Sequence, residues 1–101
     1  MMKHTRKPID NLLQAFADIR TPEECRAFLE DLCTIKEVQD MAQRFETAIL
    51  LSEGKNYQEI SSQVGISTAT ISRVSRCLNY GSGGYQTAIQ NLTKGSTTDD
   101  N

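Results

Sequence analysis

A chain of 101 residues carrying a formal net charge of −2 has room for one domain, or for half of a dimer with a shared core. It contains no run of about eighteen apolar residues, so no membrane span is expected, and a single histidine leaves no metal-ligand set. Three cysteines without a CxxC spacing leave an odd one over, which predicts reduced thiols in a cytoplasmic protein. The opening MMKHTRKPID is polar and basic with no apolar segment behind it, so no secretory signal is expected.

Residues 1–8, with Lys3, Arg6 and Lys7, read as a basic flexible arm. Ile9, Leu12, Leu13, Phe16 and Ile19 recur at three and four and predict a first amphipathic helix. Thr21-Pro22-Glu23-Glu24 is a start signal: the hydroxyl caps, proline suits the first turn, and glutamate reaches back to the cap. The second helix should bury Phe28, Leu29, Leu32 and Cys33. Thr34-Ile35-Lys36-Glu37 repeats the signal and opens a third, longer helix, lined by Val38, Met41, Ala42, Phe45, Ala48 and Ile49 and closed by Gly54. Asn56 with Glu59 caps a fourth helix over 57–64, and Ser67 caps a fifth that runs to about Asn79. Gly81-Ser82-Gly83-Gly84 breaks the chain before a sixth helix carrying Tyr85, Ala88, Ile89 and Leu92. The tail KGSTTDDN, residues 94–101, reads as disordered. No stretch alternates with period two, so the fold class is all-α, six helices over residues 9–93. A single thin chain leaves the apolar stripes of the first two helices wet, which predicts pairing with a second copy.

Residues 57–79 carry the functional signal. Ile60, Val64, Ile66, Ile71 and Val74 alternate with short polar residues around Gly65, the spacing of a helix-turn-helix whose second helix enters the major groove of DNA. On the fifth helix Ile71, Val74 and Leu78 share one face, while Ala69, Ser72, Arg73 and Arg76 share the other. The outer residues are small or basic, which permits close approach and bidentate arginine pairing to guanine. Thr68 and Ala69 can touch a thymine methyl, whereas Ser67, Gln58 and Lys55 are placed for phosphates. Charge agrees with this. Residues 8–54 hold ten acidic side chains against four basic, but residues 55–95 hold Lys55, Arg73, Arg76 and Lys94 against Glu59 alone. So few cations predict few phosphate contacts per subunit and a modest non-specific affinity.

The stretch LSEGKNYQEISSQVGISTATISRVSRCLNYG, with the long helix before it, resembles the Trp repressor family, and more narrowly its YerC/YecD-type branch, over about residues 9–93. The resemblance implies a Trp-repressor-like fold in which two chains intertwine as a homodimer and helix-turn-helix heads project from a shared core. It also implies an effector pocket between core and head. Arg44 matches the arginine that stacks near the indole, Thr34 a threonine at the start of the long helix, and Thr70 and Arg73 a threonine and a carboxylate-binding arginine on the recognition helix. Val74 stands where the repressor has a glycine beside that arginine, and Cys77 where it has a serine that helps hold the amino group. A β-branched side chain intruding on a flat aromatic site costs about 1–3 kcal/mol, and a thiol bonds more weakly than a hydroxyl. On the residues alone, Arg44 can instead pair with Asp40 one turn back, and Thr34 can serve simply as a cap.

The expected function is a sequence-specific, DNA-binding transcriptional regulator, a repressor reading a palindromic operator on double-stranded DNA as a dimer. No cofactor or metal is expected, and the effector, where there is one, is a small molecule other than L-tryptophan. The alternatives are an adaptor that uses the helix pair to bind a protein partner, and a tryptophan-responsive repressor. An enzyme is not expected, because the chain lacks a paired-carboxylate site, a placed histidine base and a phosphate-cradling glycine loop.

Overall fold

Capping chemistry sets most of the helix starts. The computed structural model describes residues 7–99, with side chains through residue 95. Six helices lie among these residues: α1 (Pro8–Ala17), α2 (Pro22–Leu32), α3 (Ile35–Ser52), α4 (Tyr57–Val64), α5 (Thr68–Tyr80) and α6 (Gly84–Asp99), with no strand. Pro8 and Pro22 open their helices, where a missing N–H costs nothing. The Thr21 hydroxyl accepts from the Glu24 amide at 3.1 Å, but the Glu24 carboxylate passes the cap and accepts from the Arg20 amide at 2.9 Å. Thr34 and Glu37 form the reciprocal box at 2.8 and 3.1 Å, and Asn56 and Glu59 form another at 2.9 Å each way.

The chain divides into two units, one ending at Val38 and the other beginning at Gln39. In the first, the Phe16 and Phe28 rings meet edge to face at 5.2 Å. Neither α1 nor α2 buries a residue completely. Phe28 and Leu29 are half-buried, but Leu32, expected inside, is 49% exposed, with Leu13 at 58% and Ile35 at 79%.

In the second unit Leu50, Ile60 and Ile71 form the core, with Leu51, Val64 and Ile66 packed against it. Ala48 and Val74 are buried as well. Thr47, also buried, satisfies its hydroxyl by donating to the Gln43 carbonyl at 2.8 Å. Phe45 and Tyr85 stack at 6.4 Å, and Gln86 Nε2 donates to the Leu78 carbonyl at 2.8 Å, tying α6 to α5.

The chain ends differ from expectation where they are described. Lys7 is the N-cap of α1 with an extended backbone, while the rest of the expected arm, including Lys3 and Arg6, lies outside the described residues. The expected disordered tail is helical through Asp99, and residues 100–101 lie outside the described residues. No proline stands after Gly84, and the only breaker, Gly95, costs a helix about 1 kcal/mol. No helix among the described residues is long and apolar enough to cross a membrane.

Gly65 sits at φ +83°, and a Cβ built there would meet nothing within 4 Å. Its requirement is therefore conformational and not steric. Gly65→Ala should destabilise the fold by about 1–2 kcal/mol, and Gly65→Asn by less, because asparagine tolerates the left-handed region. Thermal unfolding of the two variants checks this; equal stability of Gly65→Ala and wild type would contradict it.

Candidate nucleic-acid interface

The helix-turn-helix is built from its buried residues outward. Ile60 on α4 and Ile71 on α5 are each fully buried, and both belong to the cluster that includes Leu50 of α3. Complete burial of such a side chain stabilises by about 1.5–3 kcal/mol, so these residues fix α4 and α5 against the long helix. Gly65 turns the chain in the left-handed region, and its amide donates to the Ser61 carbonyl at 2.9 Å. The Ser61 hydroxyl donates across the turn to the Ile66 carbonyl at 2.7 Å. Gln43 Nε2 reaches from α3 to the Val64 carbonyl at 3.4 Å, a long bond at the end of α4.

The Ser67 hydroxyl caps α5, accepting from the Thr70 amide at 3.2 Å and lying 3.0 Å from the Thr70 hydroxyl. Beyond the cap, Thr68, Ala69, Ser72, Arg73 and Arg76 are all exposed, while Ile71 and Val74 behind them are buried and Leu78 is half-buried. The division of α5 into an apolar inner face and a small, hydroxylic and basic outer face is therefore realised. Lys55 and Gln58, on either side of the Asn56 cap, are exposed at the start of α4. None of Arg44, Arg73 and Arg76 is held by a hydrogen bond or ion pair among the described residues, so the pairing of Arg44 with Asp40 does not form. Unpaired guanidinium groups on a rigid helix offer fork-shaped donors to guanine edges or to phosphates.

A cleft of about 240 Å3 adjoins this helix, lined by Asp40, Gln43 and Arg44 of α3, Ile66 of the turn, and Thr70 and Arg73 of α5. It brings together three of the residues expected at an effector pocket: Arg44, Thr70 and Arg73. Val74 departs from that expectation. Only 2% exposed, it is a core residue and does not line the cleft, because the inner face of α5 turns it inward with Ile71. Cys77 is exposed and is not among the lining residues, and Thr34, in the first unit, is engaged as the cap of α3. Asp40, Gln43 and Ile66 were not expected there. Asp40, Gln43 and Arg44 stand at i, i+3 and i+4, so a shared face with Arg44 was the available signal for the first two.

Comparison with known proteins agrees with this architecture. The family model described as Trp repressor protein matches residues 7–93. The uncharacterized protein YerC of Bacillus subtilis is 46% identical over 91 residues, covering 90% of this chain and 88% of that protein. The crystal structure of a TrpR-like protein from Eubacterium eligens superposes with a TM-score of 0.83 at 42% identity, covering 88% of this chain and 92% of that one. A structure from Staphylococcus aureus, described as a candidate Trp repressor, gives a TM-score of 0.80 at 38% identity over 84% of this chain and 85% of that one.

The Ser67 hydroxyl has a definite structural load, which predicts that Ser67→Ala lowers stability by about 1 kcal/mol through the lost cap. Ser67→Asp should restore most of it, since a carboxylate accepts the same amide and suits a helix N-terminus. Chemical denaturation of the pair is the check, and an Ala variant as stable as the Asp variant would refute the assignment.

Proposed function

The chain belongs to the Trp repressor family, and we propose that it is a sequence-specific, DNA-binding transcriptional regulator that represses by reading a palindromic operator as a dimer. One observation carries the reading: the exposed stripe of Ala69, Ser72, Arg73 and Arg76, with Thr68 at its start, stands on a helix whose opposite face is buried. Arg73 and Arg76 supply base or phosphate contacts, Thr68, Ala69 and Ser72 allow close approach, and Ser67, Gln58 and Lys55 flank them for phosphates. Two copies related by a two-fold axis would present such helices to half-sites about 34 Å apart. The exposed apolar stripes of α1 and α2 support pairing, because only a second surface can remove them from water.

Tryptophan is not its corepressor in this reading. Of the six residues that line the cleft, Ile66 alone is purely apolar, and the other five present a carboxylate, an amide, a hydroxyl and two guanidinium groups. Flat aromatic ligands favour predominantly apolar walls. Arg44, Thr70 and Arg73 would instead hold a small polar effector, where there is one.

Binding to genomic fragments selected with the purified protein should yield a palindromic consensus. Arg73→Ala and Arg76→Ala should each weaken that binding by about tenfold or more while leaving unfolding within about 0.5 kcal/mol of wild type. Retained gel shifts in both variants would remove the basis of the reading. Calorimetric titration with L-tryptophan should show no micromolar binding; a micromolar isotherm would reverse the effector assignment. Sedimentation should report a mass twice the 11.3 kDa of the chain, and a monomer at all concentrations would exclude the paired operator geometry.

A further inference from the structure

The outer stripe of α5 does not stop at Arg76. At about 100° per residue, Tyr80 returns to within about 40° of Ala69, Arg73 and Arg76, so the last residue of the helix stands in line with them. Its side chain is 86% exposed, and its hydroxyl has no hydrogen-bond partner among the described residues. The chain leaves the helix immediately behind it. The Gly81 amide donates to the Cys77 carbonyl at 2.9 Å, and a Cβ at position 81 would collide with that same oxygen. Glycine is thus required by close approach, and it holds Tyr80 in the final turn with no side chain at position 81 to cover the ring.

From Ala69 to Tyr80 the stripe is about 16 Å long at 1.5 Å per residue, whereas the major groove is about 12 Å wide. A recognition helix places its N-terminal residues on base edges. With Thr68 and Ala69 seated there, the far end of α5 overshoots the groove and meets a sugar-phosphate wall. An arginine is a charged donor to such a wall; a tyrosine brings a neutral donor and a flat ring.

We propose that Tyr80 is a backbone-contacting residue of the DNA interface, its phenolic hydroxyl donating to a phosphate oxygen and its ring packing on the adjoining deoxyribose. This rests on the DNA-binding reading above and extends it to a residue that specifies no base. Two consequences separate it from the arginines. A phosphate contact weakens all sequences alike when lost. A neutral donor displaces no counterion, so its loss leaves the salt dependence unchanged.

The test uses the full chain and fluorescence anisotropy on two short duplexes, one a genomic fragment enriched by the protein and the other its scrambled sequence. Tyr80→Phe should weaken both by the same factor, about 3- to 10-fold, with the slope of log affinity against log salt unchanged. Arg76→Ala should lower that slope by about 1. The proposal is overturned if Tyr80→Phe binds both duplexes like wild type, or if only the enriched duplex loses affinity, which would make Tyr80 a determinant of sequence. A change in sedimenting mass on Tyr80→Phe also overturns it, since the phenolic hydroxyl would then belong to a protein contact. Failure of the wild-type chain to bind either duplex would instead defeat the DNA-binding reading, and the assignment of Tyr80 with it.

Discussion

Burial of Ile60 and Ile71 against Leu50 is the contact on which the rest of the second unit depends. The helix α4 has eight residues and α5 thirteen, lengths at which isolated helices are marginal in water. Neither helix has a long enough run of internal hydrogen bonds to persist unaided, and both are held by what their apolar faces meet. The left-handed Gly65 and the Ser61 bond to the Ile66 carbonyl then define the path between them. Since interiors pack densely and deform little, the two helices keep a fixed relation to the long helix that carries Leu50.

That fixed relation gives the outer residues their significance. Arginines on a mobile loop would lose conformational freedom on binding, whereas Arg73 and Arg76 project from a helix already ordered by its inner face. Arg73 also lines the cleft that α3 and the turn complete, so it borders two surfaces at once. Any ligand in that cleft would lie against a side chain of the exposed stripe, so on the proposed reading the cleft and the DNA-facing surface share Arg73.

Most helix boundaries were legible in the sequence because the interactions that make them are local. Thr21, Thr34, Asn56 and Ser67 each bond an amide three residues on, and that spacing can be read without tertiary knowledge. The inner face of α5 was legible for a similar reason, since Ile71 and Val74 follow the helical period. The cleft was not, because Gln43 and Ile66 are separated by more than twenty positions and only folding brings them together. Correspondence with a family assigned Val74 a position but not a direction, and the direction is toward the core. Tyr80 falls outside the helix that the sequence predicts, which ends at about Asn79, whereas α5 runs through Tyr80. The continuation of α6 through Asp99 had no start or stop signal to announce it.

The outer face of α5 has a quality that concerns descent more than mechanism. Thr68, Ala69, Ser72, Arg73 and Arg76 are exposed, and neither arginine makes a hydrogen bond or ion pair among the described residues. Exchanges at such positions leave folding nearly untouched. If that face reads DNA as proposed, lineages carrying this scaffold can drift in what they recognise without first acquiring compensating changes inside, and the scaffold can stay constant while its targets diverge.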